Sequence, residues 1–228
     1  MITSLELANI FTNKQIEWKE NQTGWVTAGD DTQYCFLEVE GEKILLFAPS
    51  NSKTDWKNNF SFWKKPYKHM ETKFYVHGGF LKCWKLVEDE LIDYIKEKEM
   101  DNLTIAGWSY GGAMSILCTE SVWFNCKNLR GKTRTVTFGA PRVFSVFNFR
   151  KIKERFENVV MLKNGSDIVT KLPPVIFGFK HVVKLTNIGD SHRFIDYFNP
   201  WKFHNMEYKN KYGYHYVLYK IFHGLNIK

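Results

Sequence analysis

Long apolar runs are absent from this 228-residue sequence, in which no stretch approaches the ~20 consecutive apolar residues of a membrane span. The N-terminal stretch MITSLELANIFTNKQ has neither a basic n-region nor an apolar h-region, and we expect no secretory signal there. Cysteine is scarce, and Cys35, Cys83, Cys118 and Cys126 have the spacing of neither a zinc site nor a redox motif. This usage predicts reduced thiols in a cytoplasm, with one disulfide as the open alternative.

Acidic residues are also in the minority, with 24 Asp and Glu against 32 Lys and Arg and a formal net charge of +8. No nucleic-acid-binding motif accompanies this excess, so a solvated basic surface is favoured and nucleic acid is not expected as a partner. Transient contact with an anionic lipid surface is the second interpretation of the charge.

We find no repeat, low-complexity tract or linker, and a hydrophobic content of 44% predicts one α/β domain over residues 1–228.

The stretch LTIAGWSYGGAMSILCTE, residues 103–120, organises the chain. Its first four residues are an apolar, β-branched run that predicts a buried strand, and the apolar residues after Gly112 predict a helix. Between them stands a G-x-S-x-G pattern with Ser109 at its centre. A serine on such a strand-to-helix turn is a nucleophile elbow, in which flanking glycines let the helix pass close to the strand. An incidental serine in a glycine-rich turn is the alternative interpretation.

Strand and helix patterns alternate along the rest of the chain. Short apolar runs predict strands at residues 34–40, 43–47, 74–76, 133–138, 159–162 and 181–188, the first two joined in a hairpin. Apolar residues spaced by three and four predict an amphipathic helix over 84–100, and shorter helices are expected at 2–9, at 152–156 and from His215 onward. The β-α-β order of 74–76, 84–100 and the elbow strand predicts a mostly parallel central sheet flanked by helices.

Five motifs in a fixed order resemble the class 3, or fungal-type, lipases of the α/β-hydrolase fold. They are FAPSNSKTDW at 47–56, VHGGF at 76–80, GWSYGG at 107–112, TFGAPR at 137–142, and NGSDIVTKLPP at 164–174 followed by GFKHV at 178–182. The sequence departs from the family pattern at Trp108, where histidine is usual, and at Ala48-Pro49, where the family has Arg-Gly. The resemblance implies a serine esterase that cleaves acyl esters of lipids without a metal or a cofactor.

A catalytic serine needs a histidine that takes its proton and a carboxylate that orients the histidine. Asp167 stands just past the predicted strand 159–162, and it follows Ser109 in the Ser…Asp…His order of this fold. Position and resemblance together favour Asp167 as the triad carboxylate over a turn-forming aspartate. Glu157 and Asp190 are the reserve carboxylates.

An oxyanion hole needs at least two donors aimed at the charge that develops on the attacked carbonyl. The backbone N–H of Tyr110, directly after the nucleophile, is the first candidate. Ser50 aligns with the Thr or Ser of the family motif, and the resemblance implies that it supplies the second donor. A simple turn residue is the alternative role of Ser50.

The triad histidine has three candidates, His192, His204 and His215. Asp167 and the LPP loop are expected at the active-site edge of the sheet, so the strand predicted at 181–188 should run away from that edge, and its eight residues travel about 25 Å. The four residues from there to His192 recover at most about 14 Å, whereas the other two candidates have enough chain to return. His215 opens the closing helix, whose apolar face can fix its position. We therefore predict His215 as the third triad member, with His204 second and His192 third.

The leading functional hypothesis is a lipid or carboxylic ester hydrolase that forms an acyl-Ser109 intermediate. A phospholipase A1 and an esterase of soluble substrates are alternatives within the same class. A non-catalytic binding protein on the same fold is the alternative from a different class, and salt-dependent DNA binding rests on the charge alone. Residues 57–67 are either a lid that contacts lipid through Phe60, Phe62 and Trp63 or a part of the core.

Overall fold

The computed structural model describes residues 1–17, 25–28, 32–50, 63–67, 73–189, 200–206 and 213–224. Its helices are α1 (Ser4–Glu17), α2 (Gly78–Trp84), α3 (Glu88–Glu97), α4 (Tyr110–Asn125) and α5 (Tyr214–Phe222). Its strands are β1 (Trp25–Ala28), β2 (Thr32–Val39), β3 (Glu42–Phe47), β4 (Lys64–Pro66), β5 (Tyr75–His77), β6 (Leu103–Trp108), β7 (Thr133–Phe138), β8 (Phe144–Ser145), β9 (Val159–Lys163), β10 (Phe179–Lys180) and β11 (Thr186–Asn187). Turns of 3-10 helix include Phe149–Phe156, Val169–Lys171, Val175–Phe177 and Pro200–Phe203.

The larger sheet has, within these residues, seven strands in the order β1-β2-β3-β6-β7-β9-β11. The first three strands are joined antiparallel, and every pair from β3–β6 to β9–β11 is parallel. The predicted mostly parallel sheet is thereby confirmed. Because parallel strands end at one edge of the sheet, the loops after Phe47, Trp108, Phe138 and Lys163 meet there.

A smaller antiparallel sheet has the order β10-β8-β5-β4 in the described part of the chain. It contains the strand predicted at 74–76, for which the β-α-β order predicts a place in the parallel sheet. That interpretation is wrong, because β6 pairs with β3 and Gly107 lies opposite Phe47. Strands of two or three residues, such as the sequence KKP of β4, are too short to show an alternating pattern.

Helices cover both faces of the larger sheet. Leu45 and Ile105 belong to the core on the side of α2, α3 and α4, and their strand neighbours Leu46 and Ala106 belong to the core under α1 and α5. This alternation is the period of two that a strand imposes on its side chains. Helix α4 is buried at every residue from 110 to 122, which explains its continuous apolar sequence.

The predicted helix 84–100 begins at the last residue of α2, crosses a turn and continues as α3, Glu88–Glu97. In the turn, the N–H of Leu86 donates to the carbonyl of Cys83, and the N–H of Val87 donates to that of Trp84. Trp84, Val87 and Leu91 are nevertheless all fully buried. The apolar face therefore continues across a break in the hydrogen-bond ladder, which explains why its spacing predicts one longer helix. Helix α1 is longer than the predicted 2–9.

The strand predicted at 181–188 is also wrong as a single element. Within residues 181–188 only β11 (Thr186–Asn187) is a strand, in the larger sheet, and β10, directly before the segment, belongs to the smaller sheet. β11 runs parallel to β9, with Thr186 opposite Leu162 and Asn187 opposite Lys163. The chain therefore travels toward the edge at which the parallel strands end, opposite to the direction on which the choice among the histidines depended.

Candidate active site

Ser109 occupies the turn between β6 and α4, in a strained backbone conformation with φ 58° and ψ −120°. A Cβ at Gly107 would lie 2.1 Å from the carbonyl oxygen of Gly111, and a Cβ at Gly111 would lie 2.2 Å from that of Phe47. Only glycine fits these two positions, so the G-x-S-x-G spacing is a steric requirement of the turn. The turn presents Ser109 at the edge where the parallel strands end, and the residue is 3% exposed.

Three side chains from separate loops form one hydrogen-bonded series at this edge. Nε2 of His204 lies 2.8 Å from Oγ of Ser109. Nδ1 of His204 lies 3.1 Å from Oδ1 and 3.0 Å from Oδ2 of Asp167. A carboxylate only accepts, so the proton of the neutral imidazole stands on Nδ1, and Nε2 is left to accept from the serine hydroxyl.

Asp167 is fully buried, and its carboxylate accepts hydrogen bonds from three directions. Besides His204, the N–H of Val169 donates to Oδ1 at 2.9 Å and the hydroxyl of Tyr214 donates to Oδ2 at 2.7 Å. Burial, followed by the neighbouring Asp167 carboxylate, raises the pKa of Tyr214 well above its ordinary value. The phenol therefore remains a donor at neutral pH and holds the carboxylate in place.

Aromatic rings and a glycine enclose His204. Its ring centroid lies 5.8 Å from that of Trp108 and 6.4 Å from that of Trp201. Gly139, with φ +60°, supplies the remaining room, since a Cβ there would lie 2.6 Å from Oδ2 of Asp167 and 2.9 Å from Nδ1 of His204. The side chain of His204 is 8% exposed, so the imidazole is held in one orientation and shielded from water.

The predicted position of His215 beside Ser109 is wrong. His215 is the second residue of α5, and its Nδ1 lies 3.2 Å from Oγ1 of Thr12 on α1. Burial lowers the pKa of His215. The residue that precedes it, Tyr214, reaches the buried carboxylate instead, so the predicted helix does supply the site, but with a phenol. The hydrogen bonds join Ser109 to His204, which ranked second among the candidates.

Other predicted positions fall elsewhere. Glu157 is exposed and precedes β9, at the opposite edge of the sheet from Ser109. His192, Asp190 and residues 57–62 of the suggested lid lie outside the described residues. Trp63, from the same suggested lid, is 77% exposed and is therefore not a core residue.

The two predicted oxyanion donors lie at the same edge as the nucleophile. Tyr110 is the first residue of α4, where backbone N–H groups point out of the helix along the positive end of its dipole. Ser50 stands three residues after the end of β3, whose last residue, Phe47, passes close enough to Gly111 of α4 that a Cβ there would lie 2.2 Å from the Phe47 carbonyl oxygen. This order along the chain is the one expected of an oxyanion hole, in which one donor follows the nucleophile and the other comes from a neighbouring loop, and the roles of Tyr110 and Ser50 stay predictions.

This arrangement can convert a serine hydroxyl into a nucleophile. The imidazole takes the proton from Oγ, and Asp167 stabilises the imidazolium that forms. Tyr214 is the residue that the sequence patterns missed, because an aromatic residue at the start of an apolar helix predicts a core position.

In the part of the chain that the structure describes, no group of three or more His, Cys, Asp or Glu side chains could hold a metal ion.

Comparisons with known proteins identify relatives of this chain. The model of the family Lipase (class 3) matches residues 44–177. Secreted mono- and diacylglycerol lipase LIP1 of Malassezia globosa is 29% identical over 158 residues, covering 64% of this chain and 49% of that protein. A lipase of Rhizomucor miehei is 29% identical over 165 residues, covering 69% of this chain and 45% of that protein. The chain thus spans about half the length of these curated relatives.

The architecture is similar to that of solved lipase structures. The native propeptide complex of Rhizomucor miehei lipase matches with a TM-score of 0.66 and 22% identity, covering 82% of this chain and 70% of that one. At this level of identity the likeness shows a common fold. The α/β-hydrolase fold that the motifs predict is thereby confirmed.

Proposed function

The chain belongs to the class 3 lipase family, and we propose that it hydrolyses carboxylic esters of lipids through an acyl-serine intermediate on Ser109. The observation that carries this proposal is the series of hydrogen bonds from Ser109 through His204 to the buried Asp167. His204 takes the place that the sequence patterns gave to His215. The same constellation on unrelated folds performs acyl transfer, so the geometry supports the reaction class independently of the family.

In the first half of the proposed reaction, Oγ of Ser109 attacks the carbonyl carbon of the ester while its proton passes to Nε2 of His204. The carbonyl π electrons move to oxygen, and the resulting oxyanion is stabilised by the N–H of Tyr110 and by Ser50. The C–O bond to the alcohol then breaks, and His204 gives its proton to the departing alkoxide. The products of this half are the free alcohol and the acyl-serine.

In the second half, His204 takes a proton from a water molecule whose oxygen attacks the acyl carbon. A second oxyanion forms on the same donors. Collapse of this intermediate breaks the bond to Oγ of Ser109, which recovers its proton from His204, and the carboxylic acid leaves. The complete reaction consumes one ester bond and one water molecule.

We propose acylglycerols as the substrate class, since the relative from Malassezia globosa is named a mono- and diacylglycerol lipase. Fatty-acid release from emulsions of mono-, di- and triacylglycerol is the direct measurement. Phosphatidylcholine and a p-nitrophenyl ester assayed in parallel identify a phospholipase A1 or an esterase of soluble substrates.

The experiment that tests the acyl-serine is labelling with a fluorophosphonate probe followed by peptide mapping. Labelling is expected at Ser109, because the phosphorus accepts the activated Oγ as an acyl carbon does. Ser115 is the matched control within the same helix, since its hydroxyl donates to the carbonyl of Gly111 and no base faces it among the described residues. Absence of labelling, or labelling at another serine, contradicts the proposal and favours a binding protein on this fold.

Gly139→Ala is expected to lower ester turnover by about a hundredfold or more, because the new methyl group would displace the imidazole and the carboxylate from each other. Gly131→Ala is the control: Gly131 also has a positive φ, +75°, but a Cβ there meets nothing within 4 Å. Both substitutions place alanine at a positive φ, which costs about 1–2 kcal/mol of stability. Gly139→Ala is expected to lower the melting temperature further, because its methyl group also meets Asp167 and His204. Equal turnover of the two variants contradicts the proposed role of the Asp167–His204 pair.

The compartment remains a prediction. All four cysteines, each in the described part of the chain, are in the thiol form, which fits the cytoplasmic location that the sequence predicts. The name of the Malassezia globosa relative calls it secreted and does not support that location. Of the helices that the structure describes, none has the length and apolar character to span a membrane.

A further inference from the structure

Large apolar side chains are exposed side by side on the smaller sheet. The turn Val175–Phe177 carries three of them, at 60%, 87% and 43% exposure, and the most exposed is Ile176. Val146 and Phe147 beside it are 48% and 57% exposed. The N–H of Val146 donates to the carbonyl of Gly178 at 3.0 Å, which fixes these two groups as neighbours. Contiguous exposed apolar surface of this kind marks an interaction site in a soluble protein.

The apolar turn is held firmly by its surroundings. Nη1 of Arg142 donates to the carbonyl of Pro173 at 2.8 Å and to that of Lys171. The turn ends at Gly178, whose φ is +70°. Ile176 is thus presented on a pre-ordered support, so its insertion into a partner costs little conformational entropy.

The charged side chains in the described segments around these apolar residues are all basic. Nζ of Lys64 lies 4.8 Å from the centroid of the Phe147 ring, and Nζ of Lys180 lies 4.2 Å from that of Phe149. The segments that form this surface, 63–67, 73–77, 142–151 and 171–180, contain no Asp or Glu. Their basic residues are Lys64, Lys65, Lys73, Arg142, Arg150, Lys151, Lys171 and Lys180. In the described part of the chain, none of these eight forms an ion pair with a carboxylate.

We propose that this basic apolar face, formed by the four segments and centred on Ile176 and Lys64, docks the protein on an anionic lipid surface. Lysines that stay uncompensated are attracted by anionic headgroups, and Trp63, Ile176 and Phe177 have the character of side chains that enter the headgroup–acyl boundary. A nucleic acid would use the lysines but gain nothing from burying Val175 or Ile176.

Short stretches of chain connect the face to residues of the triad site. β8 begins five residues after Gly139, and Val175 stands eight residues after Asp167. The inference rests on the proposed function, because a lipid surface is where an acylglycerol hydrolase meets its substrate. Docking through this face would therefore concentrate the site at its substrate without contributing to the chemistry.

Co-sedimentation of the whole chain with vesicles tests the proposal. Wild type is expected to bind phosphatidylcholine vesicles that contain about one-third phosphatidylserine at least about tenfold more tightly than pure phosphatidylcholine vesicles. The double variant Ile176→Ser/Phe177→Ser is expected to lose about tenfold or more of the binding to the anionic vesicles. Its matched control is Ile221→Ser/Phe222→Ser, the same pair of residue types at 47% and 56% exposure on α5, which is expected to bind like wild type.

The charge is tested separately. Lys64→Gln/Lys180→Gln is expected to weaken binding to anionic vesicles about tenfold, whereas Lys127→Gln/Lys132→Gln, which changes the net charge equally, leaves it within about twofold. Equal binding to both vesicle types, or equal losses in a variant and its control, overturns the proposal. Sedimentation of wild type as a dimer that Ile176→Ser/Phe177→Ser dissociates also overturns it, because the face is then an interface between two copies.

Turnover of a soluble p-nitrophenyl ester, measured on the same samples, separates this inference from the proposed function. All four double variants are expected to retain wild-type turnover. Turnover without preferential binding to anionic vesicles overturns the docking face and leaves the hydrolase. Binding without turnover in wild type supports the docking face and contradicts the hydrolase.

Discussion

Ser109→Ala is expected to lower turnover of p-nitrophenyl butyrate by about five to six powers of ten. The substitution removes the only atom that can form the acyl intermediate, while it leaves the histidine and the carboxylate in place. Alanine has the same Cβ as serine, so the strained backbone at φ 58° is unchanged. The lost hydrogen bond to His204 costs about 1 kcal/mol, and the variant is expected to fold.

Steady-state kinetics and a thermal melt on the same preparation measure this prediction. Ser115→Ala removes a buried hydroxyl six residues along the same helix and is expected to stay within about threefold of wild-type turnover. A Ser109→Ala protein that keeps more than about a tenth of wild-type turnover, purified from a host without esterase activity, contradicts the acyl-serine mechanism.

The centre of the fold could be predicted because its signals are local. The strand predicted at 133–138 is β7, residue for residue, and the runs 103–106 and 159–162 lie within β6 and β9. Strands buried on both faces are continuous apolar runs, and such runs need no knowledge of their partners to be found. The elbow is local in part: Gly107 is required by its contact with Gly111, four residues further on, whereas Gly111 is required by Phe47 of the neighbouring strand β3. The G-x-S-x-G spacing nevertheless marks the turn in the sequence.

The smaller sheet could not be predicted, because its strands exist only through their partners. Phe144–Ser145 has two residues and pairs with Phe179–Lys180, more than thirty residues away. Neither segment is long enough to show the alternation by which a strand is found in a sequence. Consequently the β-α-β order placed β5 in the wrong sheet, although its position along the chain was predicted to within one residue.

The choice of histidine failed for the same reason. The apolar character of 181–188 predicts a strand but not which sheet it enters or in which direction. Pairing of Thr186 with Leu162 reverses the assumed direction and removes the geometric objection to the histidine that follows the segment. The sequence correctly indicated that His204 has enough chain to return to the active-site edge. It did not indicate the hydrogen bond from Tyr214 to Asp167, through which the closing helix contributes to the site.

His204→Ala is expected to lower ester turnover by about five to six powers of ten, as much as the loss of the nucleophile. Without the imidazole, Oγ of Ser109 has no acceptor for its proton, and the departing alkoxide has no donor. His215→Ala, made in parallel, removes a side chain that faces Thr12 on the other side of the closing helix. It is expected to lower the melting temperature by about 2–5 °C while turnover stays within about threefold of wild type.

The pair of variants is matched, since each removes a largely buried histidine: the side chain of His204 is 8% exposed, and His215 as a residue is 8% exposed. If His215→Ala is folded and inactive while His204→Ala is active, the hydrogen-bonded series does not operate in catalysis and the original preference for His215 is restored. His192→Ala is included as the third variant because His192 lies outside the described residues. If His192→Ala loses several powers of ten in turnover while His204→Ala remains active, the assignment of His204 is contradicted. The 2.8 Å contact between His204 and Ser109 predicts the opposite result, in which only His204→Ala loses turnover and the other two variants keep it.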